Sequence, residues 1–182
     1  MNFVQPIRDI DLIKNIANYL KKENERNYIL FLFGIYTGRR IGDILKLKVR
    51  ELKNKNEITI RETKTGKRIT LQLNPVLKKA LKPYLKDRNL NEYVFQSRQG
   101  NNKPIDRTTA YKILKAAADE FGLENIGTHT LRKTFGFLFY KQTGDIETLM
   151  QILNHSNKSV TLRYIGINQE TMNEAMKKLK IL

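Results

Sequence analysis

Cysteine is absent from this 182-residue chain, so disulfides and thiolate metal sites are excluded, which fits a reducing compartment. Acidic residues are scarce: 18 Asp and Glu stand against 34 Lys and Arg, a formal charge of +16. That excess is the electrostatic footprint of a protein that meets a polyanion such as nucleic acid. An anionic membrane surface is the competing partner, but the basic residues are spread through periodic segments instead of flanking an apolar anchor. Long apolar runs are also missing. The longest, residues 28–36, is too short to span a bilayer, and residues 1–11 have no secretory pattern. The expectation is a cytoplasmic protein with no membrane partner. Its length and 40% hydrophobic content suit a single domain with a sizeable core, without internal repeats or low-complexity segments.

What is present is mostly helical periodicity. Asp9 and Asp11 open an amphipathic helix to about residue 22, and the apolar run 28–36 reads as a buried helix ending at Thr37-Gly38. Ile41, Ile44, Leu45 and Leu47 continue helical spacing, with Arg40 and Asp43 sharing a face. The pattern then changes to β-rich stretches, 58–60 and 69–73, joined by the turn Lys64-Thr65-Gly66-Lys67. Asn74-Pro75 starts a helix with Val76, Leu77, Ala80, Leu81, Tyr84 and Leu85 on its buried side. Tyr93-Val94-Phe95 reads as a third strand. Helices are expected over 108–121, 130–142, 146–153, 159–164 and 169–180, the last with an apolar stripe of Met172, Ala175, Met176 and Leu179. The fold class is α+β, mostly helical, with a small antiparallel three-stranded sheet at one edge.

The only two histidines, His129 and His155, lie in polar motifs, His129-Thr130-Leu131-Arg132 and Leu153-Asn154-His155, the second followed nine residues later by Tyr164. Phosphodiester transfer through a covalent intermediate needs a nucleophile, cations for the non-bridging oxygens and a proton donor for the leaving oxygen. Arg40 and Arg132 offer planar forks that match phosphate. His129 and His155 can donate beside them, and His129 can also move a proton. Lys64 sits on a turn whose tip can reach a leaving oxygen. Tyr164 is the candidate nucleophile, its anion expected to be favoured by the arginines. The Lys64 turn also has the look of a P-loop tail, but the earlier glycine is missing and a strand, not a helix, follows.

Thr37-Gly38-Arg39-Arg40-Ile41-Gly42-Asp43, Lys64-Thr65-Gly66-Lys67, His129-Thr130-Leu131-Arg132-Lys133-Thr134, Leu153-Asn154-His155 and Tyr164 resemble, in order and spacing, the motifs of the tyrosine recombinase (phage integrase) family. The resemblance runs from about residue 31 to Tyr164 and implies an integrase-type catalytic domain. By that likeness Arg40, Arg132, His129 and His155 hold the scissile phosphate, Lys64 protonates the leaving 5′ hydroxyl, and Tyr164 forms a 3′-phosphotyrosyl bond. Asp43 supports the site. Arg39, Lys46, Lys48, Thr65, Lys67, Arg68, Thr130 and Lys133 are candidate DNA contacts. No metal or cofactor is implied, since one phosphodiester replaces another.

The implied task is integration, excision, resolution or inversion of duplex DNA by a homo-oligomer, a tetramer on two sites, with the C-terminal stripe packing on its own core or on a neighbour. Asp43 stands where the family usually has Glu, Asn154 where it usually has Gly, and Lys133 where His is frequent. About thirty residues precede the first motif, so the family's N-terminal DNA-clamp domain is expected to be absent and 1–182 to be a single catalytic domain. The alternative is a regulatory module, a truncated catalytic domain that occupies DNA sites beside a full-length partner.

Overall fold

The computed structural model describes residues 4–167 and 176–180. Its helices start where short polar side chains accept the N–H groups that a first turn leaves unpaired. Asp9 caps α1 (Ile10–Glu23), accepting from Asp11 N at 2.8 Å and Leu12 N at 3.2 Å. Asn24 caps α2 (Glu25–Thr37), which ends on Gly38 at φ 62°. A single turn, α3 (Ile41–Ile44), leads through a short 3-10 turn into the hairpin of β1 (Glu57–Arg61) and β2 (Arg68–Gln72). These strands pair antiparallel, Glu57 opposite Gln72 and Arg61 opposite Arg68. Then come α4 (Pro75–Leu85), α5 (Arg107–Glu120), α6 (Thr130–Thr143), α7 (Ile146–Leu153) and α8 (Lys158–Tyr164).

The principal core surrounds α2, whose Ile29, Leu30, Phe31, Leu32 and Phe33 are buried all round. Ile16 and Leu20 of α1, Ile58 and Ile60 of β1, Leu77 and Leu81 of α4 and Leu114 of α5 close on it. A smaller cluster joins Phe137 of α6 to Ile146, Leu149, Leu153 and Ile165. α6 belongs to both, Leu131 in the first and Phe137 in the second, so it ties the two together. Its crossing with α2 is close: a Cβ on Gly34 would lie 2.7 Å from Leu131 Cβ. The seam between the clusters lies where Arg132 reaches from α6 to both the end of α2 and the end of α7.

Several expectations are corrected. The sheet has two strands among the described residues, not three. Of Tyr93-Val94-Phe95 only Tyr93 makes a bridge, an isolated one with Lys48, and the following Gln96 makes another with Pro104. Side chains take the carbonyls a third strand would need: Arg88 donates to Tyr93 O at 2.6 Å and to Val94 O at 2.8 Å, and Tyr84 Oη donates to Val94 O at 2.6 Å. α3 stops at Ile44, short of Leu47. Leu47 O accepts from Val94 N at 2.8 Å and Val49 N donates to Glu92 O at 2.9 Å, pairings that a continued helix would forfeit. Val76, placed on the buried side of α4, is 50% exposed. Of the last expected helix, residues 169–175, with Met172 and Ala175 of the stripe, lie outside the described residues, while Met176 and Leu179 are exposed.

Candidate active site

Arg132 projects from the first turn of α6 into the seam, where it is 2% exposed. Its two terminal nitrogens donate to Gly38 O at 2.6 Å and Leu153 O at 2.5 Å, joining the end of α2 to the end of α7. Burial, with Arg40 nearby, holds its pKa below the ordinary arginine value against the opposing pull of Tyr164 and Glu62. Arg40, at the start of α3, is only partly covered. Its Nη1 lies 2.6 Å from Glu62 Oε1, an ion pair whose N–H is not aligned for a hydrogen bond. The two expected phosphate-binding arginines therefore stand near each other, one fixed by carbonyls and the other by a carboxylate.

Tyr164 closes α8. Its ring meets His155 edge-on, centroids 5.1 Å apart at 90°, and Lys133 Nζ lies 5.2 Å from the ring centre. The Tyr164 hydroxyl is buried with no hydrogen-bond partner among the described residues, although Arg132 stands beside it. Burial raises the phenol's pKa above 10, outweighing the lowering by Arg132 and Arg40. The arginines pull toward the anion as expected, but burial outweighs them, and in the free protein the phenol keeps its proton.

His155 has its pKa lowered to about 4, first by burial and then by Arg132 and Arg40, so its ring is neutral at pH 7. Its Nδ1 lies 3.2 Å from Thr161 Oγ1. The single hydroxyl hydrogen of Thr161 goes to Asn157 O at 2.8 Å, so Nδ1 must carry a proton and donate, which leaves Nε2 as an acceptor in the neutral ring. His129 is exposed at the head of α6 and makes no side-chain capping bond. Desolvation, followed by Arg132, Arg40, Lys133 and Arg107, lowers its pKa too.

Lys64 is not drawn into this cluster. It stands exposed on the β1–β2 turn, without an ion pair or hydrogen bond among the described residues. Asp43 does not pair with Arg40. It is 4% exposed, and its Oδ1 accepts from Thr63 N at 2.9 Å and Thr63 Oγ1 at 2.6 Å, holding the start of that turn. Lys46 Nζ donates to Thr63 Oγ1 at 3.0 Å, and Lys48 Nζ lies 5.3 Å from the Tyr93 ring centre. Thr65, Lys67 and Arg68 are exposed on the hairpin.

Three expected DNA contacts are turned inward instead. Arg39, 2% exposed, donates to Thr37 O, Glu62 Oε1 and Ile152 O. Burial and the neighbouring Arg132 depress its pKa to about 10. Thr130 accepts from Gly127 N at 3.0 Å. Lys133 donates to Val4 O at 2.7 Å, part of a strap in which Ile7 N also donates to Thr134 Oγ1 at 2.9 Å.

The residue missed by sequence reasoning is Glu62. It is 2% exposed and contacts Arg39, Arg40, Thr65 and Asn154. Burial alone would raise its pKa, but the Thr65 hydroxyl, the Arg40 guanidinium and the Asn154 amide together hold it at about 2. A signal existed: Ile58 and Ile60 are the buried positions of β1, and Glu62 continues the same alternation.

Residues 8–171 match the phage integrase family. The chain is 48% identical over 177 residues to the probable integrase/recombinase YoeC of Bacillus subtilis (strain 168), covering 97% of each. It is 26% identical over 173 residues to the tyrosine recombinase XerA of Pyrococcus furiosus, covering 93% of this chain but 60% of that one. Among solved structures, a XerA recombinase superposes with a TM-score of 0.77 at 23% identity, over 96% of this chain and 65% of that one. A lambda integrase tetramer bound to a Holliday junction gives 0.71 at 18%, over 92% and 50%. These two likenesses are of fold. The chain spans nearly the whole Bacillus relative and about half to two thirds of the others.

Proposed function

The chain belongs to the phage integrase family, and from that premise we propose that it cleaves and rejoins duplex DNA through Tyr164. The observation that carries the reading is the buried Tyr164 hydroxyl, unpartnered among the described residues, set beside Arg132 and against the edge of His155. A buried polar atom without a partner is costly unless a ligand completes it. Here a phosphate in reach of Arg132 and Arg40 is that ligand.

In the reaction, the Tyr164 Oη–P bond forms as the P–O5′ bond breaks. Arg132 and Arg40 bind the non-bridging oxygens where charge develops, so Arg40 exchanges its Glu62 contact for phosphate. His129, uncharged at neutral pH, takes the phenolic proton, and Lys64 gives a proton to the leaving 5′ oxygen. A 5′ hydroxyl from a partner strand then reverses these steps on the 3′-phosphotyrosyl intermediate. His155 needs a second proton to donate to phosphate through Nε2, and the bound phosphate supplies the negative charge that favours it.

Exposed Lys46, Lys64, Lys67 and Arg68 grip the DNA backbone around the scissile phosphate. The task is site-specific integration, excision, resolution or inversion. Four protomers act on two sites, as the tetrameric lambda integrase relative supports, with the C-terminal stripe as a candidate contact. Work on the cell's DNA places the protein in the cytoplasm.

Covalent capture tests the proposal. Nicked duplexes from a broad sequence pool are incubated with the protein, denatured, and searched for protein-linked DNA. An adduct with the parent and none with Tyr164→Phe is expected, and sequencing the adduct yields the site. Salt-sensitive binding without any adduct would reject strand transfer by this chain and favour the regulatory module.

A further inference from the structure

One side chain outside the reacting set spans the base of the turn that carries Lys64. Asn154 ends α7 at φ 50° and ψ 51°, in the left-handed region. From there Nδ2 donates to Glu62 Oε2 at 3.0 Å and Oδ1 accepts from Lys67 Nζ at 3.0 Å. Glu62 and Lys67 flank the turn and are themselves joined, Glu62 N donating to Lys67 O at 2.9 Å. A single amide therefore contacts both legs of the hairpin tip. The next residue, His155, meets the Tyr164 ring.

Residue type matters at this position. Few residues besides glycine accept a left-handed backbone, chiefly asparagine and aspartate. Glycine has no side chain to bond, and an aspartate carboxylate would only accept. Asparagine alone of the three offers both a donor for Glu62 and an acceptor for Lys67. Glu62 is a firm anchor, because it is buried and also contacts Arg40 at 2.6 Å.

We propose that Asn154 is a positioning residue, docking the Lys64 turn against Arg40 and the His155–Tyr164 corner so that proton donor and nucleophile are in register before DNA arrives. The inference rests on the reading of Lys64 as general acid and deepens it. Its chemical consequence is confined to one event: delivery of a proton from Lys64 Nζ to O5′ as the P–O5′ bond breaks. Neither the phosphate grip nor the attack by Tyr164 depends on the amide.

Asn154→Gly keeps the backbone conformation and removes both bonds. In the free protein, amide hydrogen exchange over residues 63–67 is expected to rise about tenfold while α6 to α8 stay protected. The second readout is cleavage of the captured site made with either oxygen or sulfur at the 5′ bridging position. A thiolate leaves without a proton, so the sulfur substrate bypasses the acid. On oxygen, Asn154→Gly should cleave about tenfold more slowly, a fraction of what general acid catalysis supplies. On sulfur its rate should match the parent, with DNA affinity unchanged. Asn154→Asp, which sets a like charge on Glu62, should be at least as slow on oxygen.

Unchanged exchange, equal slowing on both substrates, or no slowing on either would overturn the inference. Lys64→Ala separates this failure from that of the reading beneath it. If sulfur does not restore Lys64→Ala while Tyr164→Phe stays inactive on both substrates, the general-acid assignment falls and the inference with it, whereas strand transfer stands.

Discussion

The phenol of Tyr164 meets the edge of the His155 ring at 90° and 5.1 Å, yet its hydroxyl, buried in the same seam, bonds to nothing among the described residues. An unsatisfied buried hydroxyl costs roughly 1–3 kcal/mol, and removing it relieves that cost while leaving the ring's packing in place. Tyr164→Phe is therefore expected to be as stable as the parent or about 1 kcal/mol more so, while yielding no covalent DNA adduct. Denaturant unfolding alongside covalent capture checks both. A marked loss of stability would mean that the hydroxyl has a structural partner in solution.

Acid should weaken the fold in two windows. An unfolded His155 takes up a proton near 6.5 but the folded one only near 4, so between these values the unfolded chain binds more protons and stability falls as pH falls. Glu62 repeats this lower down, with an unfolded pKa near 4.5 and a folded one near 2. Each window is expected to remove on the order of 2–3 kcal/mol. Urea unfolding from pH 7.5 to 2 measures the loss, and His155→Phe should shrink the upper window alone, leaving the part that His129, its pKa also lowered, contributes. Stability independent of pH between 6.5 and 4 would contradict a neutral, desolvated His155.

Much of this site was legible because its chemistry is local. Gly38 precedes Arg40 because α2 must end in a left-handed turn, and α6 begins where His129 and Arg132 fall one turn apart. What escaped was long-range. Arg39 looks as cationic as Arg68 in sequence, but only the fold shows that Glu62 and Ile152 O enclose it. Glu62, set among basic neighbours, reads as solvated unless the alternation of Ile58 and Ile60 is carried two residues further. Tyr93-Val94-Phe95 has strand composition, yet Arg88 and Tyr84 compete for its carbonyls from outside any sheet. The proton on Tyr164, the proposed nucleophile, has a related cause: the arginines are visible in sequence, while the burial that outweighs them is not.

DNA binding should be linked to proton uptake. With Nδ1 donating to Thr161, His155 can donate to phosphate only after Nε2 gains a proton, so binding must raise its pKa from about 4. Affinity is then expected to strengthen as pH falls from 7 toward 5.5, opposite in sign to the stability trend. Calorimetry at pH 6 in buffers of different ionisation enthalpy should register net proton uptake, reduced in His155→Asn. Proton release, or uptake unchanged in the variant, would show that His155 stays neutral on DNA.

Arg39 and Arg68 separate structure from grip. Removing a partner from a buried ion pair strands its counter-charge and costs roughly 3–5 kcal/mol, whereas exposed substitutions usually stay within about 0.5 kcal/mol. Arg39→Ala also frees Ile152 O in the last turn of α7, two residues before Asn154. It is expected to lose several kcal/mol in urea unfolding, while near-normal DNA affinity and salt dependence persist at temperatures where it stays folded. Arg68→Ala should unfold like the parent, bind DNA more weakly, and lower the slope of log affinity against log salt by about 1. If Arg39→Ala instead kept its stability and lost a unit of salt slope, Arg39 would be turned outward to the phosphate backbone on DNA and the inward ion pair with Glu62 would not be its working arrangement.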